Sequence, residues 1–143
     1  MKTILTPYIN FKGGKAKDAM EFYKTVFAGK LEMNTFADFH MDDVDESEKD
    51  NVMHAMLEAE NGVTFMASDV PSSMPFEAGE TVKMSLSGDN EEELRGYWDK
   101  LSEGASIFAP LEKAPWGDTF GMLIDKFGIN WMVNIAGEKK ESE

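Results

Sequence analysis

One short pattern occurs twice in this chain, and it constrains the fold more than any other feature. Residues 62–66 read Gly-Val-Thr-Phe-Met, and residues 128–132 read Gly-Ile-Asn-Trp-Met. Both segments run glycine, β-branched residue, small polar residue, aromatic residue, methionine. Self-similarity of this kind is typical of a repeated structural unit, so the remainder of each half is expected to match as well.

The match extends to the beginning of each half. A shift of 75 residues carries residues 22–23 (Phe-Tyr) onto residues 97–98 (Tyr-Trp), and it carries Tyr8 onto Lys83. The glycines of the repeated pattern are only 66 residues apart, so the first half must hold about nine extra residues. The acidic run at residues 42–50 supplies them. The chain is therefore predicted to contain two copies of one unit.

The hydrophobic pattern within each half predicts one helix and four strands. In the first half, it indicates strands at residues 3–11, 31–39, 52–58 and 63–68 and a helix at 15–28. In the second half, it indicates strands at residues 81–87, 107–108, 119–125 and 129–136 and a helix that begins after Asp89 or Asn90. The predicted fold class is α+β, with two βαβββ modules from an internal duplication. They are expected to form a curled mixed eight-stranded sheet around a cleft, with the helices on the outside.

The boundaries of the modules follow from composition. Residues 69–79 hold two prolines, two serines and a glycine, which is typical of a linker. We expect one domain over residues 1–143, made of module one at 1–70, a linker at 70–79, module two at 80–137 and a polar tail at 138–143.

Two local signals are sharper than the rest. Asn61 and Gly62 predict a two-residue type I′ hairpin, in which both central residues have positive φ. Asn90 or Asp89 is expected to cap the second helix, with a glutamate at its third position.

Composition excludes several classes of function. The formal net charge is −13, which disfavours nucleic acid and anionic membrane surfaces because both require a basic footprint. The sequence has no cysteine, which excludes disulfides, thiolate catalysis and cysteine-bound zinc. It also lacks an apolar run of about 20 residues and the apolar core of a signal peptide. A cytoplasmic location is the resulting expectation.

Several segments together resemble the vicinal oxygen chelate superfamily of glyoxalase, bleomycin-resistance and extradiol dioxygenase proteins, and in particular its PhnB-like branch. The segments are residues 6–11, 19–24, 54–55, 66–69, 116–117 and 120–134. This branch also carries the label 3-demethylubiquinone 3-methyltransferase, although the sequence lacks the glycine-rich loop expected of a methyl-donor enzyme. The resemblance implies a small-molecule ligand and a homodimer.

The resemblance also identifies four positions at which metal-dependent members carry histidine or glutamate. Carried over by the repeat, these positions are Tyr8, Met66, Lys83 and Met132. None offers a carboxylate or an imidazole, which metals of the Zn, Ni, Fe or Mn kind prefer, and a lysine ammonium would repel a cation. We therefore expect no metal and no cofactor.

Alternation along the strands defines the side chains that are expected to face the cleft. The predicted ligand-binding residues are Tyr8, Asn10, Met66, Ser68, Lys83, Ser85, Trp116, Phe120 and Met132. The candidate catalytic residues are His54, Tyr8 and Asp69, because a histidine beside a carboxylate is suited to proton transfer. His54 is also consistent with a hydrogen-bonded residue near the core, and Lys83 with a surface lysine.

Three functions remain open at this point. The first is a metal-free protein that binds an amphipathic small molecule, as sequestering drug-resistance proteins do. The second is an enzyme that uses His54, Tyr8 and an aspartate for proton transfer. The third is a glyoxalase-like or dioxygenase-type enzyme with displaced metal ligands such as His54, Glu58 and Asp69.

Overall fold

The computed structural model describes residues 3–41, 43–77, 79 and 81–137. The chain divides into two compact units, Met1–Glu77 (unit 1) and Ala78–Glu143 (unit 2). The predicted polar tail at 138–143 lies outside the described residues. In the described part of the chain, neither helix is long and apolar enough to cross a membrane.

Unit 1 contains one helix and a four-stranded mixed sheet. Its elements are β1 (Tyr8–Phe11), α1 (Ala16–Phe27), β2 (Lys30–Thr35), β3 (Val52–Glu58) and β4 (Thr64–Asp69), with short 3-10 helices at Ala37–Phe39 and Glu46–Glu48. The strand order is β1-β4-β3-β2, and β1 runs parallel to β4. Helix α1 covers one face of the sheet, where the ring of Phe65 lies 5.4 Å from that of Tyr23 and 6.0 Å from that of Phe27.

Unit 2 repeats this arrangement. Its elements are β5 (Met84–Gly88), α2 (Glu91–Leu101), β6 (Ser106–Lys113), β7 (Thr119–Ile124) and β8 (Asn130–Ile135). The strand order is β5-β8-β7-β6, and β5 runs parallel to β8. The buried side of the sheet carries Leu123, Trp131 and Val133, and helix α2 contributes Trp98 and Leu101 to the same core.

The predicted fold class is confirmed, since each unit is a βαβββ module with a mixed sheet. The strand predicted at 31–39 is shorter, since β2 ends at Thr35 and Ala37–Phe39 form a 3-10 helix. Two other strand boundaries differ where proline is involved. The first strand begins at Tyr8 rather than residue 3, because Pro7 has no amide hydrogen to donate to a ladder. The short strand expected at 107–108 extends over Ser106–Lys113, and its register is irregular around Pro110 for the same reason.

The type I′ turn predicted at Asn61 is wrong, because only Gly62 has a positive φ, of 90°. Ala59 N–H donates to the carbonyl of Val63, and Gly62 N–H donates to the carbonyl of Ala59. These bonds define a three-residue hairpin loop closed by a left-handed glycine. The side-chain oxygen of Asn61 accepts from Val63 N–H at 3.3 Å, which stabilises this loop instead of the two-residue one.

The predicted cap of helix α2 is confirmed. Asn90 Oδ1 accepts from the backbone N–H of Glu93 at 3.1 Å, and Glu93 accepts in return from the Asn90 amide at 3.2 Å. This reciprocal pair satisfies a backbone donor that the first turn of a helix otherwise leaves unpaired.

Candidate functional site

Each sheet has a second face that its own helix does not cover, which we call the open face. In unit 1, side chains on alternate positions of β1, β4 and β3 point away from the buried Ala55, Leu57 and Phe65. The strand registers place Tyr8 beside Met66 and Met66 beside Met56, so these three form one row across the face. Asn10 and Ser68 form the next row.

The structure brings two of the predicted catalytic residues together. The rings of Tyr8 and His54 lie 6.0 Å apart, centre to centre, on the open face of unit 1. Their strands are separated by β4, and the residue of β3 in the row of Tyr8 is Met56, two residues from His54, so their backbones are roughly 12 Å apart. Both side chains therefore lean towards each other over β4.

Asp69, the third predicted catalytic residue, lies on the other side of the sheet. It is 1% exposed and points towards helix α1. Its carboxylate accepts from Ala16 N–H and from Val52 N–H, each at 2.9 Å. Asp69 thus joins the start of α1 to the start of β3, and it is separated from His54 by the sheet.

The open face of unit 2 has the same central feature as that of unit 1. Met122 pairs with Met132 across β7 and β8, just as Met56 pairs with Met66 across β3 and β4. Ser85 lies beside Met132 on the edge strand β5. Met56 and Met122 were not predicted as site residues, although the 66-residue shift that links Met66 to Met132 also links these two.

Trp116 and Phe120 are brought together at one end of this face. Their rings are 5.8 Å apart at an angle of 62°, and Trp116 is 63% exposed. Trp116 lies in a three-residue loop between β6 and β7, in which Ala114 N–H donates to the carbonyl of Asp118 at 2.7 Å. Gly117 closes the loop with a φ of 103°.

The register corrects the assignment of Lys83. Tyr8 pairs with Met66 in unit 1, whereas Ser85 pairs with the equivalent Met132 in unit 2. Tyr8 therefore corresponds to Ser85, and Lys83 precedes β5 with its ammonium 3.5 Å from Asn130 Oδ1. The cause is the strand-to-helix connection, which is two residues shorter in unit 2, so one shift does not hold for both strand and helix.

The corrected set of positions does not fit a hard or borderline metal ion. Tyr8, Met66, Ser85 and Met132 offer hydroxyl groups and thioethers instead of imidazoles or carboxylates. Among the described residues, no group of three histidine, aspartate or glutamate side chains could hold a metal ion. The displaced set of His54, Glu58 and Asp69 does not converge, because Asp69 lies on the helix side.

Two further aspartates stabilise the backbone of unit 2. Asp125 accepts from the N–H groups of Phe127 and Ile129 and from Trp131 Nε1, which fixes the β7–β8 turn. Asp118 accepts from Asn134 Nδ2 at 3.0 Å and from Gly137 N–H at 2.8 Å. These two hydrogen bonds, that of Asn134 first, hold the pKa of Asp118 below its usual value.

Two βαβββ modules, each with an open face that carries a small set of polar and thioether side chains, define a protein of the vicinal oxygen chelate fold. Residues 3–134 match the family model described as 3-demethylubiquinone-9 3-methyltransferase. The chain belongs to this family, which is the PhnB-like branch of the superfamily.

Solved structures agree with this assignment. The protein PA1353 from Pseudomonas aeruginosa is 32% identical, with 96% of this chain and 100% of that chain covered and a TM-score of 0.83. A PhnB protein from Bacillus cereus is 27% identical over 94% of this chain and 100% of that chain, with a TM-score of 0.73. A glyoxalase, bleomycin-resistance and dioxygenase domain from Frankia shares the fold at 12% identity, with 96% and 99% covered and a TM-score of 0.64.

Proposed function

We propose that this protein binds an amphipathic small molecule on the open face of each sheet, without a metal ion. The observation that carries the proposal is the methionine pair at the centre of each face, Met56 with Met66 and Met122 with Met132. Thioether side chains are flexible and polarisable, so they adapt to apolar ligands of varied shape.

The surroundings of the methionines support an amphipathic ligand. Short polar groups, Asn10, Ser68 and Ser85, lie beside them and offer hydrogen bonds to the polar part of a ligand. Apolar walls with a few polar groups are usual in small-molecule sites. Methyl transfer is not part of the proposal, since the strand-to-helix connections at 12–15 and 89–90 lack the G-x-G-x-x-G spacing of a nucleotide-binding loop.

A neutral fluorescent probe, N-phenyl-1-naphthylamine, tests the proposal directly. We expect the wild type to bind the probe, and Met66→Gln and Met132→Gln each to weaken binding about fivefold, because a polar amide replaces an apolar contact worth about 1 kcal/mol. Met74→Gln is the matched control, since Met74 is 58% exposed and lies outside both sheets. Wild-type affinity in the Met66→Gln/Met132→Gln double variant would contradict the proposal.

One observation favours an enzymatic alternative. Tyr8 and His54 lean towards each other on the open face, where a histidine and a phenol could exchange a proton with a bound ligand. Under the binding proposal, His54→Ala is expected to change the affinity for the probe by less than about twofold, and neither protein is expected to convert a bound metabolite.

Mass spectrometry of a bound metabolite after incubation with the wild type and with the variant measures this conversion. Conversion by the wild type alone would establish the enzyme instead.

We also propose that the protein is a homodimer, as the resemblance to the family implies. Light scattering coupled to size-exclusion chromatography measures the mass in solution against the 16.0 kDa of one chain.

A further inference from the structure

We infer that Trp116, Phe120 and Glu112 form a subsite for a cationic group, so that the ligand is an amphipathic cation such as a quaternary ammonium compound. The inference rests on the proposed function and narrows its ligand class. Within unit 2, the three residues lie on the hairpin of β6 and β7, at the end of the open face.

The aromatic part of the subsite is a corner formed by two rings. The rings of Trp116 and Phe120 stand at 62° with their centres 5.8 Å apart, and Trp116 is 63% exposed. The face of an aromatic ring carries negative electrostatic potential, and the T-shaped contact of the two rings leaves the exposed indole of Trp116 able to attract a cation. The tight loop closed by Gly117 holds the indole in place.

Carboxylates flank this corner. Glu112 is the direct cross-strand partner of Phe120, so its side chain shares the face of the ring. On the other side of Phe120 lies Asn134, whose amide donates to the carboxylate of Asp118. The carboxylate of Asp118 is ionised at neutral pH, as an aspartate ordinarily is, and its hydrogen bonds lower its pKa further.

Among the described residues, the nearby positive charges do not cancel these carboxylates. Lys113 follows Glu112 in the strand, so its side chain points to the opposite side of the sheet. Lys83 contacts Asn130, which lies four residues before Asn134 on β8 and is therefore roughly 13 Å away along the strand. The formal net charge of −13 adds a long-range attraction for cations and repels anions.

Two probes of the same shape but different charge separate the effect of charge on binding from the effect of shape. Benzyltrimethylammonium and neopentylbenzene differ only in the atom at the centre of the head group, a cationic nitrogen or a neutral carbon. Calorimetric titration of the full chain is expected to show at least about fivefold tighter binding of the cation, because a cation gains from ring faces and carboxylates together. This preference should shrink at 1 M salt, where exposed charges are screened within about 3 Å.

Three variants test which residues cause the preference for the cationic probe. Glu112→Gln and Trp116→Leu are each expected to reduce it about threefold, and Phe120→Leu likewise. Glu60→Gln, an exposed glutamate of unit 1, is expected to leave it unchanged. All three targeted side chains lie on a surface hairpin, and thermal unfolding of each variant checks the fold.

The outcomes distinguish the inference from the proposed function. Equal affinity for the two probes, or an unchanged preference in Glu112→Gln and Trp116→Leu, would overturn the subsite. Failure of the methionine variants to weaken N-phenyl-1-naphthylamine binding would overturn the proposed function, whatever the cation preference.

Discussion

Replacing Asp69 with alanine is expected to lower the free energy of unfolding by about 3 to 5 kcal/mol, because two buried backbone donors lose their only charged acceptor. Ala16 N–H and Val52 N–H each donate to the Asp69 carboxylate at 2.9 Å. The residue before α1, Lys15, makes no side-chain cap, so Asp69 supplies the cap from β4. The carboxylate also lies at the positive end of the helix dipole.

Urea denaturation followed by circular dichroism measures this loss. Asp99→Ala is the matched control, because Asp99 is exposed on α2, and its replacement should change stability by less than about 0.5 kcal/mol. Asp69→Asn should lie between the two, since one amide oxygen can still accept. An Asp69→Ala protein as stable as the wild type would show that the carboxylate has no structural role.

Replacing Gly29 with alanine is expected to destabilise the protein by about 3 kcal/mol or more, for two reasons that add. Its φ of 101° is unfavourable for any residue with a Cβ. A Cβ built there would also lie 2.2 Å from the carbonyl oxygen of Glu58 and 2.6 Å from Ala59 Cα, and backbone atoms cannot move aside as a flexible side chain can. The midpoint of urea denaturation reports the change.

Alanine substitutions at two other glycines serve as comparisons for the loss of stability expected at Gly29. Gly104 corresponds to Gly29 in the repeat and has a φ of 69°, but the atom nearest to its Cβ would belong to the side chain of Lys126, at 3.2 Å. Gly104→Ala should therefore cost about 1–2 kcal/mol. Gly96, inside α2 with open space around it, should stabilise the helix by about 0.5–1 kcal/mol when replaced by alanine. Equal losses at Gly29 and Gly104 would refute the clash with Glu58.

The candidate site was only partly visible in the sequence. Alternation along the strands was enough to assign Tyr8, Met66 and Met132 to one kind of face, because side-chain direction in a strand depends only on parity. To predict that these side chains pair with Met56 and Met122, one must know the register between the strands. The repeat implied an equivalent register in both units, but its single shift of 75 residues placed Lys83 where the structure has Ser85.

Asp69 is the clearest case in which the neighbouring residues in the sequence do not predict what a side chain contacts. Position 69 follows Ser68, and both looked available for a ligand, yet the two face opposite sides of the sheet. Its partner Ala16 is 53 residues away in the chain. In unit 2 the equivalent position is Ile135, which is buried, and the local residue Asn90 caps the helix instead.

The sequence by itself determined the duplication, the order of elements, the α2 cap and the family resemblance, because each can be read from residue patterns without knowledge of which segments are in contact. Only the tertiary structure decided the strand registers, the burial of Asp69 and the meeting of Trp116 with Phe120. The registers and the burial of Asp69 depend on the lengths of connections and on contacts between distant segments, and the contact of Trp116 with Phe120 depends on the three-residue loop between β6 and β7. A connection two residues shorter, or a helix start without a local cap, changes which side chains meet while the hydrophobic pattern stays the same.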